Sequence, residues 1–158
     1  MAGQETTSAL ETRLRDDIRE AQRAHDQLRM DALRLAVNAF HLEEVARTDK
    51  DHKAFRQPLT ETDRIAMLDK QIKQREEAAA LYRQAGRTEL VEKETREAEL
   101  LRAYMPAKMT DDEVRAVVSG LIAQHGKVFN VVIKLAQQET KGRAEGKRVA
   151  EIVREMVS

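Results

Sequence analysis

Leu10, Leu14, Ile18 and Ala21 recur at three- and four-residue intervals, the spacing of one face of a helix. Ser8, with Glu11 three residues later, predicts a capping box at the start of that run. The first seven residues are polar, show no period and are expected to fray. A second helix is predicted from about Asp26 to residue 47. Its stripe reads Leu28, Ala32, Leu35, Ala39, Leu42 and Ala46, widened by Val37, Phe40 and Val45. Between the two, Ala24-His25-Asp26 is either a tight connection or a kink. Thr48 to Leu59 carries Asp, Lys, His and Pro58 without a period, and predicts a solvated, mobile loop.

Thr60 with Asp63 opens a third helix whose buried side is Ile65, Leu68, Ile72, Ala79 and Tyr82, with Gly86 just past its end. Thr88 is expected to cap a fourth, running through Leu90, Val91, Ala98, Leu100 and Leu101. The third helix, at about 25 residues, would span about 37 Å. Paired with the second, it predicts an elongated antiparallel hairpin covered by the other two. Pro106 lacks an N–H and restricts Met105, so the fourth helix must stop near Tyr104. Thr110 with Glu113 restarts a helix almost at once, which predicts a stiff elbow.

Three short helices follow. The first uses Val114, Val117, Val118, Leu121 and Ile122 and stops at Gly126; the second covers about Val128 to Thr140 with Val131, Val132 and Leu135 inside; the third starts after Gly146 and buries Val149, Ile152, Val153 and Met156. No alternation is long enough for a sheet. The fold class is all-α: an elongated helical bundle over residues 1–105 and a small three-helix domain over 106–158.

Charged residues make up 35% of the 158 and hydrophobic ones 41%, as expected of amphipathic helices with one buried stripe each. With no Trp, two Tyr and three Phe, the core falls to aliphatic side chains. No Cys is present, which excludes disulfides and thiolate metal sites and fits a reducing compartment. No apolar run has the length of a membrane span or the placement of a signal peptide, so a soluble cytoplasmic protein without membrane contact is expected.

Catalytic signals are absent. Ser8, Ser119 and Ser158 sit in no strand-turn-helix elbow, and His25, His41, His52 and His125 are scattered without the Glu-x-x-His pairs of a di-iron bundle. No catalytic residue, metal or cofactor is assigned. The dense charge of residues 70–77 reads as a solvated face braced by pairs such as Lys73 with Glu77, and Tyr82 and Tyr104 as packing residues.

The net charge is zero, yet over 127–148 Lys127, Lys134, Lys141, Arg143, Lys147 and Arg148 face only Glu139 and Glu145. The most informative stretch is Lys141-Gly-Arg-Ala-Glu-Gly-Lys-Arg148. Gly142 and Gly146 permit a sharp turn, and the helix opening at Gly146 would offer free N–H groups among cations, a recipe for phosphate. The alternative is a helix–helix turn whose basic side chains simply stay wet.

The elbow Tyr104-Met-Pro, Thr110-Asp-Asp-Glu, Lys141-Gly-Arg-Ala-Glu-Gly and Val149-Ala-Glu-Ile-Val together resemble the YqeY-like family, as do Lys73-Gln-Arg and Gly86-Arg-x-Glu-Leu-Val upstream. That family shares its C-terminal module with the tail of GatB, a component of the tRNA-dependent amidotransferase. The family places Gly-Lys-Val-Met at the start of the penultimate helix. Counting back from Gly142 puts Asn130 to Ile133 there, while Gly126-Lys127-Val128 lies four residues earlier, so either Lys127 or Val131 takes the lysine's position. The resemblance implies an all-helical, non-catalytic accessory that binds tRNA or another structured RNA through Lys127, Lys134, Lys141, Gly142, Arg143, Gly146, Lys147 and Arg148. Two alternatives stand beside it: a helical module binding a protein partner along its long N-terminal helices, and a component of a carbon–nitrogen ligase that uses glutamine as amide donor.

Overall fold

In the computed structural model, which describes residues 8–158, seven helices follow one another and the described residues form no strand. The seven leading residues expected to fray lie outside the described residues. The chain divides after Met105 into two units, each enclosing a core of its own.

The first unit holds α1 (Ala9–Arg23), α2 (Gln27–Ala46), α3 (Glu61–Gln84) and α4 (Thr88–Arg102). Its extensive pairings are α1 with α2 and α3 with α4; α2 meets α3 over a shorter stretch. The elongated α2–α3 hairpin expected from helix length is therefore not the organising pair. The reason lies in the turns. At the end of α1 the Asp26 N–H donates to Ala21 O at 2.9 Å and His25 N–H to Gln22 O at 3.2 Å, with His25 left-handed at φ 54°. At the end of α3 the Arg87 N–H donates to Tyr82 O at 2.9 Å and Gly86 N–H to Arg83 O at 3.2 Å, with Gly86 at φ 69°. Both are Schellman turns, which satisfy the last carbonyls and fold the chain straight back. The residue triplet 24–26 is thus a tight connection, and Asp26 caps α2 by accepting the Arg29 N–H at 3.2 Å. The turn at Gly86 leaves Arg87 at the N-cap of α4, so Thr88 is the first helical residue and caps nothing.

The buried face of α2 is Ala32, Leu33, Ala36, Val37 and Phe40. Leu35, Leu42 and Val45 are instead 54%, 59% and 52% exposed. The helix carries apolar side chains on two faces, and the one with Ala32 and Ala36 lets neighbouring helices approach closely. Leu14, Phe40, Leu68 and Leu101 are fully enclosed in the same core.

A buried guanidinium ties this unit together. Arg64 donates from Nη1 to Leu59 O at 2.6 Å and from Nη2 to Glu44 at 2.9 Å, with Glu11 at 3.4 Å from Nε and the Phe40 ring 5.8 Å below. Glu11 pairs with Arg15 and Arg64, so at Ser8 it is the forward half of the capping box, Ser8 Oγ to the Glu11 N–H at 3.0 Å, that holds the helix start. Arg47 ties down the 48–59 segment: its Nη1 donates to Pro58 O at 2.9 Å and faces Asp63 at 3.3 Å, and its Nε meets Glu43 at 3.0 Å. Most of the segment's residues are exposed, as expected of a solvated loop, while successive turns run through it and Leu59 enters the core, so it is a loop strapped down by its own hydrogen bonds. Within 70–77, Lys73 pairs with Asp69 at 3.2 Å, but Arg75 turns inward to Glu97 on α4 at 3.1 Å. That face is only partly solvated.

The second unit holds α5 (Asp111–His125), α6 (Phe129–Glu139) and α7 (Gly146–Val157), each packed on the other two. Thr110 and Glu113 form the complete capping box, at 3.2 and 2.8 Å. Val114, Val118 and Leu121 meet Val132 and Ala136 from α6 and Val149, Ile152 and Val153 from α7. Val131, expected inside, is 40% exposed. Among the described residues no helix is long and apolar enough to cross a membrane.

Two glycines should respond to alanine with opposite signs. Gly86 is left-handed with open space around it, so its cost is purely conformational, and Gly86→Ala should destabilise by about 1–2 kcal/mol. Gly120 lies exposed in the middle of α5 with nothing near it, and Gly120→Ala should stabilise by about 0.5–1 kcal/mol. Denaturant melts of both variants check this; equal signs would refute the assigned geometry.

Tyr104 donates its hydroxyl to Asp17, and burial with that bond pushes its pKa up to about 12 from 10.0. A phenol whose native pKa is raised contributes stability fully present below pH 10.0 and lost as pH rises through about 12. Phenolate absorbance of the folded protein should therefore show a component appearing near pH 12, and Tyr104→Phe should remove both that component and the loss of stability in that window. Absence of a component near pH 12 that Tyr104→Phe removes would contradict it.

Candidate nucleic-acid interface

At the end of α6 the Thr140 hydroxyl donates to Ala136 O at 2.7 Å, and the chain turns as the Arg143 and Ala144 N–H groups reach Thr140 O at 2.9 and 3.0 Å. Gly142 makes the turn possible with φ 78°, in the left-handed region. The loop is anchored from the other side: Met109 N–H donates to Arg143 O at 2.8 Å and Lys108 Nζ lies 3.5 Å from Gly142 O. Gly146 does not share the role expected of a second turning glycine. It is the first residue of α7, where an added Cβ would meet only Gln137 Nε2 at 3.8 Å.

The start of α7 follows Glu145, whose side chain makes no capping bond. The N–H groups of the first turn are thus open to an external acceptor, with Lys147 exposed beside them. Lys141 is exposed in the preceding turn, while Arg143 is half-buried, its Nε enclosed without a hydrogen-bond partner.

Arg148 does something the sequence did not signal. It grips Asp111 at the start of α5, with Nη2 at 2.7 Å and Nε at 3.2 Å, and meets Glu151 at 2.9 Å. Those hydrogen bonds hold the Asp111 carboxyl below its usual value and raise the guanidinium pKa. The side chain is a brace between two helix starts. Nothing in the local sequence links positions 37 apart, so only the fold reveals the pair.

Lys127 stands just ahead of Val128, the N-cap of α6, and Val131 lies in its first turn, so the two candidates for the family lysine flank one helix start. An 11-residue helix is about 16 Å long. Lys127 and the 140–145 turn therefore lie at opposite ends of α6, with exposed Lys134 between. The predicted residues form an extended basic border rather than one cluster, with exposed Val128 and Val131 beside Lys127. Among the described residues, no group of His, Asp and Glu could hold a metal ion.

A family model described as Yqey-like protein matches residues 11–157, which takes in nearly all of α1 through α7. No curated protein matches the chain.

Replacing Gly142 by Val should lower the stability of the second unit by about 1–2 kcal/mol, because a β-branched residue is strongly disfavoured at positive φ. The first unit should keep its helical signal. An unchanged melting curve would show that the turn tolerates ordinary geometry.

Proposed function

We propose that this chain, which belongs to the YqeY-like family, is a non-catalytic accessory that binds structured RNA, such as tRNA, through phosphate contacts of its second unit. The observation that carries the reading is the exposed, side-chain-uncapped start of α7 with Lys147 in its first turn and Lys141 in the turn before it. Lys127 and Lys134 extend the same chemistry along α6. Arg148 enters as the brace that holds the α7 start in place. Binding of this kind reads shape, since phosphate contacts carry no base information and the chain offers few aromatic rings for stacking. A relationship to the amidotransferase tail accords with the Lys-Gly-Arg-Ala-x-Gly loop and with such a role.

A second reading has its own support: the outer face of α2 exposes Leu35, Leu42 and Val45, which suits a helical protein partner.

With three to four cations engaged, the slope of log K against log salt for tRNA should be about −3. Changing Lys127, Lys134, Lys141 and Lys147 together to Ala should flatten that slope and weaken binding at low salt at least tenfold, with folding intact because all four are exposed. The matched control replaces Lys50, Lys53 and Lys70, exposed on the first unit. Loss of binding in the control alone would move the site to the first unit. No binding by wild type at low salt would end the RNA reading and leave the α2 face.

A further inference from the structure

A cleft of about 520 Å³ opens within the first unit, where α1, the first turn of α2 and the end of α4 come together. That volume lies within the range of small-molecule sites. Arginines from three different helices line it: Arg13 from α1, Arg29 from α2 and Arg96 from α4.

Three arginines and three carboxylates line the cleft, but they do not all pair with one another. Asp17 accepts the Tyr104 hydroxyl and lies 3.8 Å from Arg29, which also meets Glu20 at 3.7 Å. Asp26 is occupied as the cap of α2. Among the described residues Arg13 makes no ion pair: its guanidinium sits 4.6 Å over the Tyr104 ring and donates to Ala103 O at 3.4 Å. Arg96 is exposed, and among the described residues it makes no ion pair. Among the described residues, two guanidiniums thus border the cleft without an ion pair of their own. The first turn of α2, at the positive end of a 20-residue helix, also lines it through Leu28. Leu28 and Leu100 give it an apolar wall, and Glu99 leaves one acceptor beside it.

We propose that this cleft binds a small phosphate monoester bearing hydroxyl groups, with the phosphate held by Arg13 and Arg96 and the body against Leu28 and Leu100. A monoester carries close to two negative charges at neutral pH, matching two unpaired guanidiniums, where a single carboxylate brings only one. The planar fork of Arg suits tetrahedral phosphate oxygens. Glu99 accepts a hydroxyl hydrogen bond from the ligand. The Asp17–Tyr104–Arg29 set fixes the wall rather than gripping the ligand. The site lies wholly in the first unit and is independent of RNA binding by the second.

The test is calorimetric titration of the full chain with AMP, with inorganic phosphate as a probe lacking a body and adenosine as one lacking phosphate. Saturable binding of AMP is expected, with competition by inorganic phosphate and adenosine at least tenfold weaker. Arg13→Ala and Arg96→Ala should each weaken AMP at least tenfold, since a hydrogen bond to a charged group is worth that much. Arg34→Ala, exposed on α2 outside the cleft, should change nothing. Circular dichroism melts confirm folding of each variant, and Arg96→Lys, which keeps charge but loses the fork, should recover binding only in part. No saturable binding of either AMP or inorganic phosphate, equal binding of AMP and adenosine, or AMP affinity indifferent to both cleft substitutions would each overturn the proposal.

Discussion

A buried guanidinium in an aliphatic core must find acceptors or be expelled, and Arg64 finds them on every element around it. Its partners come from α1 (Glu11), α2 (Glu44), the strap before α3 (Leu59 O) and α3 itself (Glu61, 3.9 Å). Glu61 in turn accepts the Leu10 N–H at 3.2 Å and the Ser8 hydroxyl, so the start of α1 is held by the same network. Such a network is a poor source of net stability, because desolvation offsets most of the attraction. Losing one member is another matter, since it strands charge in a dry place. Glu44 and Glu61 remain 43% and 46% exposed, which softens that penalty through water. The network draws its members from α1, α2, α3 and the segment before α3, and so ties these elements together at one point.

The second unit uses a different device. Its core is almost entirely Val, Ile and Ala, residues that interlock on packing but, apart from Ala, form helices weakly. Polar ties lie at its surface, where Arg148 joins the starts of α5 and α7 and Arg115 faces Asp112 at 3.4 Å and Glu155 at 3.7 Å. Because the arginines do the bracing, the lysines at 127, 134 and 147 stay exposed. Division of labour between the two cation types leaves mobile ammonium groups for phosphate and fixed guanidinium groups for structure.

What the sequence discloses is what is decided within three or four residues. The boxes Thr60–Asp63 and Thr110–Glu113 form as read, because both partners are local, and Asp63 keeps its box while also facing Arg47 at 3.3 Å. Ser8–Glu11 is equally local, yet Glu11 is drawn to the distant guanidinium of Arg64 on α3. Gly86 reads correctly as a helix stop; that it hands the N-cap to Arg87 follows from hydrogen bonds that only the folded turn makes. On α2 two apolar faces compete, and periodicity has no means of choosing between Leu35–Leu42 and Leu33–Phe40. The candidate site divides the same way. Gly142 and the uncapped α7 start are legible from the glycine and from Glu145 at the N-cap, whereas the Arg148–Asp111 grip and the inward turn of Arg75 are tertiary.

Zero net charge is therefore a weak guide to what this molecule attracts. The acidic side chains are not spread evenly against the basic ones; many are engaged by arginines, Glu11, Glu44 and Glu61 by Arg64, Glu97 by Arg75, and Asp111 and Glu151 by Arg148. Three arginines thus engage six carboxylates between them, so the positive character of what remains depends on which residues are left over. On the second unit the remainder includes Lys127, Lys134 and Lys147; in the cleft of the first it is Arg13 and Arg96. Exposed lysines suit diffuse, salt-sensitive contact with a polyanion, since a hydrated ammonium needs no fixed partner geometry. Arginines on a cleft wall suit a single compact anion, because the planar guanidinium fork matches tetrahedral oxygens. The same balanced composition thus presents two kinds of positive surface, and the internal pairing pattern, rather than the sum of charges, determines where each lies.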